Sequence, residues 1–166
     1  EEITEEETME VEPTEVAEAE RSVPEEEPYF PYTQKDIYLV GNTVFWEVGT
    51  LRYKCTEEEA MKALRMTASC IVNRTKMNYR HFGRTIESQI FADSQYASRE
   101  KISDTKQDYV DEIFYQVAEE ILQNGPVVSE RLVFQSENEQ GKEVDHINNQ
   151  HLGLLPESEY EGYINS

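Results

Sequence analysis

The chain has 166 residues, 37% of them hydrophobic and 10% aromatic, with 15 Lys and Arg against 35 Asp and Glu and a formal net charge of −20. That size fits one domain with a tail, and so acidic a chain lacks the basic face that a duplex or phosphate backbone requires, so no nucleic-acid partner is expected. No run approaches 18 consecutive apolar residues, so no segment reads as a membrane span.

The charge is unevenly spread. Residues 1–27 hold 13 Glu and one Arg, include Pro13 and Pro24, and contain no aromatic residue. Such a stretch cannot bury enough apolar surface to offset its ordering entropy, which predicts a disordered, self-repelling acidic linker over 1–27. A flexible linker of this length spans on the order of 30 Å root-mean-square. The chain opens on Glu1 rather than Met, without a basic start and apolar core. A processed chain is therefore expected, with any signal or membrane anchor in a missing N-terminal segment. Residues 28–166 form the second unit, long enough for a core, and every aromatic residue lies from Tyr29 onward. Pro28-Tyr29-Phe30-Pro31 reads as an extended lead-in.

Thr33 to Asp36 is a capping-box pattern, and Ile37, Val40, Val44, Phe45 and Val48 follow near a 3.6 period. This predicts a helix over 34–48, weakened at Gly41 and stopped at Gly49. Thr56 to Glu59 is a second box with three acids in the first turn. Ala60, Ala63, Leu64, Thr67, Ala68 and Ile71 then form one face of a helix over 57–75, with small residues that permit close approach of a neighbour. Thr85 heads one or two turns through Ile86, Ile90 and Phe91. Thr105 to Asp108 is read as the cap of a long helix over 106–123, whose Val110, Ile113, Phe114, Val117, Ala118, Ile121 and Leu122 share one side, and Asn124-Gly125-Pro126 ends it. Leu132-Val133-Phe134 is a short β-type run. Residues 146–166 show no clear period and hide at most a strand or hairpin.

Cys55 and Cys70 lie roughly 20 Å apart if the helix from 57 is continuous, at about 1.5 Å per residue, so no bridge between them is expected. With His81, His146 and His151 they match no zinc spacing, and no metal or cofactor is expected. No nucleotide-binding glycine loop and no G-x-S-x-G is present. A Cys–His hydrolase assembled from Cys70 and His146 is disfavoured because Cys70 stands mid-helix, where packing suits it better than attack. His146 and His151 have no readable partner and are expected at the surface.

Glu47 is the informative residue. It is the only acid between Asp36 and Glu57 and lies at the predicted helix C-terminus beside Phe45 and Trp46. The negative end of the helix dipole and apolar neighbours both disfavour its charge and raise its pKa. A carboxyl group kept protonated at neutral pH is the proton donor that glycosidic cleavage requires. The alternative is an ordinary exposed Glu at a helix end.

The segment around Glu47, followed by Ala63 through Arg74 with its Ile71-Val72-Asn73-Arg74 ending, resembles the SleB-type cell wall hydrolases, a family known for spore-cortex-lytic enzymes. Phe82, Thr85-Ile86, Ile90-Phe91, Gln95-Tyr96, the helix over 106–123 and Leu132-Val133-Phe134-Gln135 follow in the family's order, so the similarity covers residues 36–136. The resemblance implies a mainly α, lysozyme-like α+β fold: a compact helical domain with a short β element behind a disordered acidic tail. It implies a peptidoglycan-cleaving enzyme with Glu47 as general acid, acting typically as a lytic transglycosylase that leaves a 1,6-anhydro sugar. The reading that follows is a monomer, secreted or tethered at the cell wall, that meets peptidoglycan glycan strands and, lacking an apolar span, makes no membrane contact through this chain itself.

Two places depart from the family pattern. Leu51 stands where a second Glu is usual, in a lengthened loop, and Ala60-Met61-Lys62 replaces the usual Gly-Gln. Gln95 and Tyr96 match a Gln-Phe pair and are expected to line the substrate groove, with packing as their alternative. Tyr53 could stack on a sugar ring, or be a half-buried structural residue. Gln135 is the better candidate on its strand for a sugar hydrogen bond, with Phe134 in the core. Asn73 and Arg74 suit a helix end, where Asn caps and Arg meets the dipole. The rival reading is a lysozyme-like domain that binds glycan or a protein partner without cleaving it. An acidic domain attracts anionic wall polymers poorly, and this weighs on the rival's side.

Overall fold

The computed structural model describes residues 26–93, 95–136, 143–147 and 150–166. The acidic linker expected over 1–27 falls, up to residue 25, outside the described residues. The domain is mainly helical with a small antiparallel sheet: α1 (Gln34–Val48), α2 (Glu57–Met77), α3 (Ile86–Ile90), α4 (Glu112–Asn124), β1 (Leu132–Ser136), β2 (Glu143–Ile147), β3 (Gln150–Leu154) and α5 (Glu157–Ile164).

The first two helices begin where their capping boxes stand. The Asp36 carboxylate accepts the Thr33 N–H at 3.0 Å. Thr56 Oγ1 accepts the Glu59 N–H and the Glu59 carboxylate accepts the Thr56 N–H, both at 3.1 Å. Gly49 ends α1 without a left-handed cap: its φ of −60° is right-handed, and the chain tightens into a 3-10 turn over Gly49–Tyr53. Asn78 closes α2 in the left-handed region (φ 59°), a conformation Asn tolerates, and its side-chain oxygen accepts the Gly83 N–H at 2.8 Å.

The core lies between α1, α2, α3 and α4. Leu39, Val40 and Val44 of α1 meet Leu64, Ala68 and Ile71 of α2 and Phe114, Val117 and Ile121 of α4, all buried. Gly41 lets α1 and α4 touch, because a Cβ there would stand 2.5 Å from a ring carbon of Tyr115. Gln89 of α3, fully buried, donates to the carbonyls of Tyr79 at 3.2 Å and Gly83 at 2.7 Å, pinning the loop before α3.

The start of α4 corrects the sequence reading. The helix begins at Glu112 behind Asp111, not at 106 behind Thr105. The segment before it is held by tertiary hydrogen bonds. Asn42 Nδ2 donates to the Ser103 and Thr105 carbonyls at 2.8 and 2.9 Å. The Tyr115 hydroxyl accepts the Gln107 N–H at 2.9 Å and donates to Asn42 Oδ1 at 2.6 Å. These bonds outcompete the local capping signal.

The sheet has strand order β1-β3-β2, with Leu132 opposite Leu154 and an irregular register between Leu132 and Phe134. The hairpin of β2 and β3 begins at Glu143, ahead of the 146–166 stretch in which the sequence left room for one, and α5 was not foreseen. Its Tyr160 and Tyr163 pack on Met77, Tyr79, Val133 and Leu155, while the remaining residues are polar apart from Gly162 and the exposed Ile164, so no apolar period marked it. Asn73 of α2 donates to the Ser129 and Leu132 carbonyls at 3.0 and 2.8 Å, fastening β1 to the helix.

Candidate active site

The end of α1 delivers Glu47 to the seam between α2, the turn over 95–98 and β1. A pocket of about 60 Å³ opens there, lined by Glu47, Thr67, Cys70, Arg74, Gln95, Tyr96 and Val133. Three residues named from sequence therefore meet: Glu47, Gln95 and Tyr96. Thr67, Cys70 and Arg74 stand three and four apart along α2 and form one wall by helical geometry alone.

Glu47 is exposed by area, yet protein crowds its carboxyl group enough that desolvation raises its pKa. Two contacts oppose the rise. Ser98 Oγ donates to Glu47 Oε2 at 3.1 Å, and the Arg74 guanidinium favours the charged form from across the pocket. The direction matches the sequence expectation, but the surroundings differ. Phe45 and Trp46 line a separate depression, and the groups around the carboxyl come from α2 and the 95–98 turn.

Arg74 is the residue that the sequence reading placed elsewhere. It is 7% exposed and turns inward rather than toward the end of its helix. Its Nε donates to the Val133 carbonyl and its Nη1 to Gln95 Oε1 at 3.1 Å. Its guanidinium carbon lies 5.2 Å from the ring centroids of both Tyr79 and Tyr96. Among the described residues it has no carboxylate within ion-pair distance, so its charge acts on the pocket. Ser98 and Thr67 were also missed. The signal for Arg74 and Thr67 was in the period, since both share the stripe of Cys70 and Ile71, whereas Ser98 sits on a turn that no pattern marked.

Cys70 is 4% exposed and burial pushes its thiol up to about 12. It stays a thiol at neutral pH and cannot serve as a nucleophile. Cys55 and Cys70 are not bridged. Burial likewise raises the Tyr96 hydroxyl to about 12, so it remains a neutral hydrogen-bonding group. Tyr53 does not join the pocket. It lies 84% exposed in a depression formed by Phe45, Trp46, Tyr109 and Phe114. Gln135 pairs with Leu152 in the sheet, and its side chain, like those of Phe134, His146 and His151, lies outside the described residues.

A larger cavity of about 220 Å³ is lined by residues including Tyr29, Asn73, Lys76 and Glu130. Its polar groups largely serve one another: the Tyr29 hydroxyl donates to Glu130, and the Lys76 ammonium sits 3.7 Å from the Tyr29 ring centroid. The smaller pocket, which combines an acid that resists ionisation with a hydroxyl, an amide and a buried cation, has the parts for proton donation to an oxygen at its mouth. Among the described residues no helix is long and apolar enough to cross a membrane. No protein-family model, curated protein or solved structure matches the chain.

Proposed function

We propose that the chain cleaves the bond between N-acetylmuramic acid and N-acetylglucosamine in peptidoglycan, as a lytic transglycosylase with Glu47 as its single general acid. The observation that carries this reading is the meeting of a desolvated Glu47 with Gln95 and Tyr96 in one pocket. That is the juxtaposition which the resemblance to SleB-type cell wall hydrolases implies. The lengthened loop and Leu51 lie outside this pocket, so the departures from that pattern leave the acid itself in place.

The pocket is too small for a sugar ring, so the ring lies across its mouth and only the reacting oxygen faces the carboxyl group. Protonated Glu47 gives its proton to the bridging oxygen as the bond from that oxygen to C1 breaks. The 6-hydroxyl of muramic acid bonds to C1 and passes its proton to the Glu47 carboxylate, which restores the acid. Atoms balance without water, and the product is a 1,6-anhydro sugar. A two-carboxylate hydrolase would need a partner about 5–5.5 Å away for retention or about 6.5–9.5 Å away for inversion. Glu47 is the only carboxylate among the described residues lining the pocket. Ser98 donates to the carboxylate once its proton has left, and the Arg74 charge favours it from across the pocket. Such a monomeric enzyme would work at the cell wall, outside the cytoplasmic membrane.

The small pocket also favours the second reading, a domain that holds glycan or a protein partner without cutting it. Mass spectrometry of purified peptidoglycan after incubation with the chain separates the two. The expected outcome is anhydro-muramyl products, abolished by Glu47→Gln. Reducing ends without anhydro sugars would mean a hydrolase with a further carboxylate. Equal cleavage by Glu47→Gln would remove Glu47 from the chemistry, and glycan binding without any cleavage would favour the second reading.

A further inference from the structure

The depression beside Glu47 is built unlike the rest of the surface. It measures about 320 Å³, and aromatic rings supply most of its walls. Phe45 anchors it, with its ring centroid 5.3 Å from Trp46, 5.6 Å from Tyr109 and 5.4 Å from Phe114. Two rings remain open to solvent, Tyr53 at 84% and Tyr109 at 53% exposure. Leaving large rings in water on the surface of an otherwise acidic domain forgoes burial that a core would supply.

The rim is polar. Arg52 and Asp111 form an ion pair at 2.6 Å and both line the depression. The Lys101 ammonium sits 4.8 Å from the Trp46 ring centroid and forms no ion pair with any described residue. Flat apolar faces bordered by planar hydrogen-bonding groups suit a pyranose ring, whose C–H face stacks while its hydroxyls and acetamide point outward to partners. Chain geometry links this place to the pocket. Trp46 and Glu47 are consecutive, and one short turn touches both, through Ser98 to Glu47 and Lys101 to Trp46.

We propose that the Trp46–Tyr109–Tyr53 depression is a second glycan subsite, which takes a pyranose ring of the same peptidoglycan strand whose scissile bond lies at Glu47. This rests on the peptidoglycan reading above. Tyr53 and Tyr109 stack on the ring. Lys101 receives an anionic group of the strand, the carboxylate of a lactyl or peptide branch, giving local charge complementarity that the acidic chain as a whole lacks. The strand thus gains a hold away from the small pocket, and binding at the remote ring positions the bond that breaks.

The test uses the full chain carrying Glu47→Gln, so that a ligand is held and not cut. Trp46 is the only tryptophan and lines this depression, so indole fluorescence reports on it. The probe is a purified tetrasaccharide of alternating N-acetylglucosamine and N-acetylmuramic acid. A saturable change in Trp46 emission is expected. Tyr53→Ala should weaken binding about ten-fold, the loss of one stacking contact, without touching the core. Tyr109→Ala should do the same, with Tyr109→Phe restoring affinity, and high salt should weaken the hold through Lys101. Binding by calorimetry with unmoved Trp46 emission and parent affinity in Tyr53→Ala and Tyr109→Ala overturns the subsite and leaves the enzyme reading intact. No binding by any measure, while the unmutated chain still releases anhydro-muramyl products, also overturns the subsite alone. No binding and no cleavage overturn both.

Discussion

Gly41→Ala tests the close contact between α1 and α4. In an open helix this change stabilises by about 1 kcal/mol, because Gly is the poorer helix former. Here the added Cβ would stand 2.5 and 3.0 Å from two ring carbons of Tyr115 and 3.3 Å from the Phe114 carbonyl oxygen. The backbone oxygen cannot swing away. The Tyr115 ring is also fixed: its hydroxyl is bonded to Asn42 Oδ1 at 2.6 Å and to the Gln107 N–H at 2.9 Å, and its ring packs edge-on against Tyr38. Overpacking costs about 1–3 kcal/mol, and straining the two hydrogen bonds adds about 0.5–1.5 kcal/mol each. The clash therefore outweighs the propensity gain, and a net loss of about 1–5 kcal/mol is expected in urea unfolding. A double-mutant cycle isolates the cause. In a Tyr115→Leu background the same Gly41→Ala change should lose most of its cost, because the obstructing ring has gone. A parent chain that is unaffected or stabilised by Gly41→Ala would refute this account of the α1–α4 contact.

Three further outcomes follow from the pocket. Because burial raises the folded pKa of Glu47 above its unfolded value, ionisation opposes folding. The penalty appears as pH rises through the unfolded pKa and is complete above the folded one. Urea unfolding from pH 4 to 7 should thus show Glu47→Gln gaining stability relative to the parent, and a constant difference would contradict it. Arg74→Met should raise the Glu47 pKa further, since the guanidinium now favours the carboxylate; carboxyl-carbon NMR giving a lower pKa in the variant would show the electrostatic role wrong. Thiol labelling of the folded chain should modify Cys55 well before Cys70, whose buried thiol is raised to about 12, and equal labelling rates would show that α2 opens readily.

The parts of the fold legible in the sequence are those where local and global forces agree. Thr33, Thr56 and Thr85 mark helix starts because their capping bonds form within four residues. Thr105 carries the same local signal and fails, because Asn42, far away in the chain, and Tyr115, one turn into α4, claim the backbone at and beside it. The helix over Glu157–Ile164 is held by two tyrosines on a small cluster, too few to write a period. The site divides in the same way. Glu47, Gln95 and Tyr96 converge in one pocket, as ordered motifs along a chain can suggest. Tyr53 went to the neighbouring depression, because the 3-10 turn after Val48 carries it away from the carboxyl group.

Arg74 shows why position along a helix is weaker evidence than position around it. Read along the axis, an Arg near the end of α2 meets the negative end of the dipole, a surface role of a few tenths of a kcal/mol to about 1 kcal/mol. Read around the axis, it falls on the stripe of Thr67, Cys70 and Ile71, which must face inward for α2 to pack. The inward face wins because burying that stripe involves several side chains at about 1.5–3 kcal/mol each for the larger ones. The guanidinium is then carried into the interior, where it cannot remain bare. The Val133 carbonyl, the Gln95 amide and the faces of Tyr79 and Tyr96 compensate it. None of these partners is negative, so the positive charge is solvated but not neutralised. Its field falls on Glu47 and, with the Ser98 hydrogen bond, opposes the rise in pKa that burial causes. An acid pressed upward by desolvation and downward by a hydroxyl donor and a fixed cation is held between its two forms, the balance that the proposed single-acid reaction would require.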